Sequence, residues 1–253
     1  MRKPADLFCQ IRHPLKIQTE FCLFVGYVDL KEDLCDLPFF GADLDWFRDP
    51  FFNNVGAPLI GGTFTLISGI SSRYSRSSLK RGLKVLAWGL VMTAVTAIAV
   101  PDLIIQFGIL HLMGCCMILI ALLKPLLDQL PRTVGVGLGA LLFALTYHLP
   151  NGGWLGIKGL LAVQIHTTNP YLFPFGLLAP GFYSSDYYPL IPWFFLFVCG
   201  YYLGSWVQEG KAPHWLYPSR LPCLEFVGRH TLWVYVLHQP ILIAVFWLIF
   251  QLI

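Results

Sequence analysis

The sequence predicts an all-α fold, a polytopic bundle of about six transmembrane helices with one long extracytoplasmic loop. Of its 253 residues, 56% are hydrophobic and only 12% are charged, whereas soluble domains carry about 25% charged residues. Three segments, Leu103–Leu123, Tyr187–Val207 and Thr231–Ile253, contain no Asp, Glu, Lys or Arg. A helix of about 20 such residues spans the roughly 30 Å hydrocarbon layer, so we expect a protein whose solvent is lipid.

Six candidate spans follow one another along the chain: Val55–Ser71, Leu83–Val100, Leu103–Leu123, Thr133–Leu149, Tyr187–Val207 and Thr231–Ile253. The first fifty residues contain no such span, because acidic side chains bracket their one apolar stretch, Phe21–Val28, which is too short to cross a bilayer. We therefore expect two parts: a degenerate or extracytoplasmic segment over residues 1–50 and a transmembrane domain over residues 51–253.

The connections between these spans indicate their orientation. Most basic residues lie in three alternate connections: Arg73, Arg76, Lys80, Arg81 and Lys84 in the first, Lys124 and Arg132 in the second, and Lys211, Arg220 and Arg229 in the third. The positive-inside rule places these connections in the cytoplasm. We therefore predict a multi-pass protein of the cell membrane, with an extracytoplasmic C-terminus and an outer loop over Pro150–Asp186.

Glycine spacing predicts two close helix contacts. Gly135 and Gly139, like Gly200 and Gly204, are spaced as Gly-x-x-x-Gly, which lets helix backbones approach closely in lipid. The seven cysteines show no Cys-x-x-Cys spacing, so we expect neither a disulfide framework nor a metal site. Asp186 and Asn169 in the outer loop are candidates for contact with a polar substrate or, alternatively, for helix caps.

Two histidines are the main candidates for chemistry within the membrane. His111 is expected roughly 12 Å below the outer end of its span, and His238 about 10 Å from the cytoplasmic end of the last one. Pro240 removes a helix hydrogen bond beside His238. Intramembrane ionisable groups are functional candidates, and two histidines suit a path for a proton or an acyl group. The alternative is that each imidazole hydrogen-bonds a neighbouring helix and holds the bundle together.

Cations near the expected cytoplasmic face are candidates for binding an anion. Arg229 and His230 directly precede the last helix, whose N-terminal end favours negative charge such as phosphate. The cluster around Arg81 could bind a nucleotide phosphate or the anionic lipid surface. Both groups have a simpler interpretation as anchors that obey the charge rule.

Several motifs occur in an order that resembles a known family. They are Ser68-Gly-Ile-Ser-Ser72, Leu79-Lys-Arg-Gly-Leu-Lys84, Phe107-Gly-Ile-Leu-His111, Tyr188-Pro-Leu-Ile-Pro-Trp193 and Gly228-Arg-His-Thr-Leu-Trp-Val-Tyr-Val-Leu-His-Gln-Pro240. Over residues 54–249 the chain resembles the heparan-alpha-glucosaminide N-acetyltransferase catalytic domain family, in its bacterial multi-pass membrane branch.

The resemblance implies an integral membrane N- or O-acetyltransferase that moves acetyl from cytoplasmic acetyl-CoA to an amino sugar or envelope glycan. It implies catalytic roles for His238 and His111, and cofactor binding by Arg229 and His230. From the charge of its cluster, we add Arg81 as a candidate for cofactor binding. The partners it implies are membrane lipid and a small-molecule or glycan acceptor; no nucleic acid is expected, and homo-oligomerisation is left open.

The chain departs from the family pattern at its start. Family members usually open with a further span bearing an Asp-x-x-Arg-Gly-like motif, which residues 1–36 do not show. The chain is therefore expected to lack the family's first helix. Two alternative functions stay open, a histidine-gated membrane carrier and a catalytically inactive structural membrane protein.

Overall fold

The computed structural model describes residues 55–211, apart from residues 76, 100, 102, 103 and 158–160, and it also describes Leu237. The chain divides into two compact units, residues 1–64 with 212–253, and residues 65–211. In the first unit the described residues, 55–64 and Leu237, are helical. All contacts considered below lie within the second unit, residues 65–211.

Five helices are described, α1 over Ala57–Ser72, α2 over Ser78–Ala99, α3 over Ile109–Leu127, α4 over Arg132–Thr146 and α5 over Leu190–Gln208. Three of them, α2, α3 and α5, are long and apolar enough to cross a membrane, and α4 is a shorter apolar helix. This confirms the prediction of a mainly helical membrane protein. The last candidate span, Thr231–Ile253, lies outside the described residues.

The third predicted span begins later than expected. Residues 104–108 are not helical, and Phe107 instead forms a parallel bridge with Tyr187. The amide of Tyr188 donates to the carbonyl of Phe107 at 2.9 Å. Because this pairing satisfies backbone groups outside a helix, an apolar segment can leave the helical conformation here. His111 consequently lies in the first turn of α3, about 3 Å along the helix axis rather than roughly 12 Å.

The connection between α4 and α5 contains structure that the all-α prediction did not include. Strands β1, Trp154–Ile157, and β2, Leu161–Gln164, pair antiparallel, with Leu155 opposite Val163. A 3-10 helix follows over Pro170–Phe175, and its first amides are capped because the Asn169 side chain accepts from the amide of Tyr171 at 3.0 Å. The helix-cap interpretation of Asn169 is therefore confirmed.

Glycines bring α5 against α1. A methyl group on Gly200 would overlap the carbonyl oxygen of Leu66 and lie 3.0 Å from the α-carbon of Gly69. One turn further along α5, a methyl group on Gly204 would lie 2.8 Å from the carbonyl oxygen of Ile70. The two backbones are thus in direct contact, which confirms the packing role predicted for this glycine pair.

The second glycine pair brings α4 against another side of α5. A methyl group on Gly139 would lie 2.7 Å from the sulfur of Cys199, and one on Gly135 would overlap the ring of Tyr202. The pair α2 and α3 follows the same rule, because a methyl group added at Gly114 of α3 would lie only 2.7 Å from the backbone nitrogen of Leu86 in α2. Small residues therefore set all three close helix contacts described here.

Candidate functional site

His111 is buried in the first turn of α3, with 3% of its surface exposed. The amide of Gly108 donates to its Nδ1 at 3.2 Å, and its Nε2 lies 3.2 Å from the hydroxyl oxygen of Thr93 in α2. Both ring nitrogens are therefore engaged, one by the start of α3 and the other by a neighbouring helix. This is the geometry expected for a histidine that links two helices.

Two further residues define the space around the imidazole. The Phe107 ring stacks on it, with centroids 5.4 Å apart and planes at 29°. On the side of α2, a methyl group at Gly89 would lie 3.2 Å from the ring, so a glycine is needed for this close approach. The ring is thus fixed by polar contacts at both nitrogens and by packing on its faces.

Asp186 caps α3 from the outer connection. Its Oδ2 accepts from the amide of Ile109 at 3.0 Å, which satisfies one of the free donors of the first turn. The same connection holds the preceding segment, since Ser184 accepts from the amide of Gln106 at 3.0 Å and the amide of Ser185 donates to Ile104 at 3.1 Å. The helix-cap interpretation of Asp186 is confirmed, and the outer connection contributes to the setting of His111.

A second polar cluster, which the sequence did not predict, lies where α1 and α3 end, beside the later part of α5. The guanidinium of Arg73 forms an ion pair with Asp128 and donates to the hydroxyl of Tyr201, whose ring it also covers at 4.6 Å. The Tyr201 hydroxyl donates to the same Asp128 oxygen at 2.8 Å. We call these three residues the arginine clamp.

Hydrogen bonds govern the electrostatics of the arginine clamp. Burial alone would raise the pKa of Asp128, but the hydrogen bonds from Arg73 and Tyr201 lower it below its ordinary value. For Arg73, burial is the largest influence and acts to lower the pKa, but the hydrogen bonds and charge interactions with Asp128 and Tyr201 together outweigh it, so the pKa is raised. Both groups are consequently held in their charged forms. The sequence signal was Asp128 directly after an apolar helix, together with an arginine at the end of another.

The other cations at this end of the helices are more exposed. Glu209, at the end of α5, pairs with Arg132 and, at 2.8 Å, with Lys211. Lys80, Arg81 and Lys84 on the first turns of α2 are exposed. Arg81 is separated from the α2 residues that contact His111 by about 12 Å or more along the helix. The structure therefore does not bring these two predicted site residues together.

The remaining predicted site residues, Arg229, His230 and His238, lie outside the described residues. Their predicted roles stay predictions. Within the part of the chain that the structure describes, no group of three or more His, Cys, Asp or Glu side chains could hold a metal ion.

Comparison with known proteins gives one match. A family model described as heparan-alpha-glucosaminide N-acetyltransferase, catalytic, matches residues 32–240. Neither the curated proteins nor the solved structures include a match to the chain. The matched range contains all five helices described above and all of the motifs that carried the resemblance.

Proposed function

Because the chain belongs to the heparan-alpha-glucosaminide N-acetyltransferase catalytic family, we propose that it is an integral membrane acetyltransferase. Its donor is acetyl-CoA on the cytoplasmic side, and its acceptor is an amino sugar or an envelope glycan on the far side. The family match over residues 32–240 carries this proposal. The three apolar helices support it, because such a transfer needs a protein placed in the membrane that separates donor and acceptor.

The proposed topology has six spans in the cell membrane, with the C-terminus outside. One feature of the structure, the arginine clamp, supports the proposed orientation of the helices in the membrane. Arg73, Asp128 and Tyr201 bring the C-terminal ends of α1 and α3 to the later part of α5, so these three helices run in the same direction. Charged groups gather at this end, as the positive-inside rule expects for a cytoplasmic face. His111 and the outer connection lie at the opposite end of α3.

Each predicted site residue has a distinct role in the proposal. Arg229, His230 and Arg81 supply positive charge for the phosphates of acetyl-CoA. His238 and His111 are the residues that could serve as general base or transient acyl carrier between thioester and acceptor. For His111 this role requires one of its two hydrogen bonds to open. Membrane lipid and the acceptor are the proposed partners.

The test uses purified protein in liposomes, radiolabelled acetyl-CoA and an amino-sugar acceptor such as glucosamine. We expect release of free CoA together with acceptor labelling, and loss of both by at least tenfold in His238→Ala. His166→Ala is the matched control, because His166 is exposed in the outer connection and should retain full transfer. If none of the amino sugars or glycans tried as acceptor leads to CoA release, the proposal is contradicted.

A second candidate function, a structural membrane protein without catalysis, is favoured by one observation. Both nitrogens of the buried His111 ring are engaged, as expected of a residue that holds helices together. His111→Gln separates the two candidates. If His111 is only structural, the variant is less stable, but the folded fraction keeps its transfer rate; if His111 takes part in transfer, the rate per folded molecule falls.

A further inference from the structure

The hydroxyl of Thr93 uses its single proton in a hydrogen bond to the backbone. Thr93 donates to the carbonyl oxygen of Ile105 at 2.6 Å. A hydroxyl has one proton to donate and lone pairs that accept. Toward the Nε2 of His111, 3.2 Å away, Thr93 can therefore act only as acceptor, and Nε2 must carry the proton.

The other nitrogen of the ring meets the opposite requirement. The backbone amide of Gly108 can only donate, and it points at Nδ1. Nδ1 must therefore hold a lone pair and no proton. A doubly protonated ring would place an N–H against the N–H of Gly108. The two contacts are satisfied together by one state of the side chain, a neutral imidazole with its proton on Nε2.

From these contacts we propose that Thr93 is a positioning residue that fixes His111 as a neutral ring protonated at Nε2, with the lone pair of Nδ1 covered by the amide of Gly108. Thr93 is itself held by Ile105, whose amide donates to the neighbouring Thr96 at 3.2 Å. Thr93 and Thr96, one turn apart on α2, thus both hydrogen-bond to Ile105 in the segment that precedes α3. The orientation of the hydroxyl follows from this arrangement.

The assignment identifies which atom of His111 can react. A base or nucleophile needs an unshared electron pair, and in this state the ring has it only on Nδ1. That atom becomes accessible when residues 104–108 move away from the ring. These residues are held by hydrogen bonds to the outer connection, including the amide of Gln106 to Ser184. The protonation state itself is independent of the proposed function; only the consequence for transfer rests on it.

Nitrogen-15 NMR of histidine-labelled protein in detergent micelles tests the assignment directly. His111→Gln identifies the signals of this ring among the seven histidines. We expect one protonated nitrogen at Nε2 and one unprotonated nitrogen at Nδ1, distinguished by their couplings to the ring C–H protons. The exposed ring of His166 is the internal comparison, because its signals should average between the tautomer with the proton on Nδ1 and the tautomer with the proton on Nε2. A proton on Nδ1, or on both nitrogens, at neutral pH would overturn the proposal.

Variants of the two threonines separate positioning from general stability. Thr93→Val removes the acceptor, so the Nε2 proton should shift upfield and lose its protection from solvent exchange. Thr93→Ser keeps a hydroxyl and should restore both signatures. Thr96→Val is the matched control, since it loosens the same Ile105 without removing the contact to His111. Unchanged ring signals in a folded Thr93→Val variant would refute the role of Thr93; if that variant does not fold, the native spectrum and Thr93→Ser still decide.

Discussion

At its N-terminal end α3 is held by hydrogen bonds of the neutral groups of His111, Thr93 and Gly108 and by the Asp186 cap, whereas at its C-terminal end an ion pair joins Asp128 to Arg73. The difference follows exposure. His111 is 3% exposed, while the side chains of Arg73 and Asp128 are 23% and 37% exposed. Charges that keep contact with water avoid most of the desolvation cost that a fully buried pair would meet.

The two ends should therefore respond to different perturbations. The arginine clamp depends on a carboxylate paired with a cation and should respond to pH through that ion pair, whereas the N-terminal end depends mainly on the geometry of hydrogen bonds. Between the ends, contact among glycine-containing helices supplies the packing. We therefore expect packing variants to have the largest effect, followed by the charged end and then the capped end.

The largest effect is expected for Gly200→Ala. The added methyl group would overlap the backbone carbonyl of Leu66, which cannot rotate away, so the variant should lose about 3 kcal/mol of unfolding free energy or fail to fold. Gly137→Ala is the matched control, because among the described residues no atom of another element lies within 4 Å of the added group and alanine favours a helix. Unfolding in mixed detergent micelles measures both. Equal stability of the two variants would show that the ends, not the packing, hold these helices.

At the charged end, Asp128→Asn should lower the unfolding free energy by about 1–2 kcal/mol, a value reduced for the partial exposure of both partners. The substitution leaves Arg73 beside Tyr201 without its counter-charge. Glu209→Gln at the more exposed ion pair is the control and should have a smaller effect. If the two variants lose the same amount, the arginine clamp is no stronger than an ordinary surface pair.

The stability contributed by Asp128 should also depend on pH. Since the pKa of Asp128 is lowered in the folded protein, its contribution is fully present above the unfolded value of about 3.9 and is lost as the pH falls through the lower folded value. The stabilities of the native protein and Asp128→Asn should therefore differ at pH 6 and converge below about pH 4. A difference that stays constant over this range would mean that the carboxylate charge is not responsible.

The smallest effect is expected at the capped end. Asp186→Ala removes the acceptor for the amide of Ile109 and should cost about 1 kcal/mol, as does loss of a helix cap. Asp186→Asn keeps an acceptor and should cost less. Unlike Asp128→Asn, neither variant should change the contacts of Arg73. Hydrogen exchange of the Ile109 amide provides a local measurement, and faster exchange is expected only in the alanine variant.

The helical part of the fold could be predicted because lipid imposes simple rules. Apolar segments of sufficient length indicated α2, α3 and α5, and glycine spacing indicated the contacts of Gly200 and Gly139. These features depend on local sequence and on the solvent. Family membership was likewise predictable from the order of the motifs, and the family model confirms it.

Features that depend on distant pairing were not predictable. Residues 104–108 are as apolar as a helix, and only their pairing with the segment around Tyr187 draws them out of one. The position expected for His111 within its helix was wrong for this reason. Arg73 was interpreted as part of an orientation signal, because nothing local indicates that it meets Asp128 and Tyr201. The roles of Arg229, His230 and His238 stay predictions.

The glycine contact between α1 and α5 limits how these helices can move. Gly200 and Gly204 face successive carbonyl groups, those of Leu66 and Ile70, so the two clearances on α5 are one turn apart, about 6 Å. A slide of α5 along its axis would move both glycines away from the carbonyl groups that they face and bring larger side chains of the same face toward the backbone of α1. Piston motion of α5 along α1 is therefore opposed at both clearances, and small adjustments in this pair must occur by tilting about the point of contact.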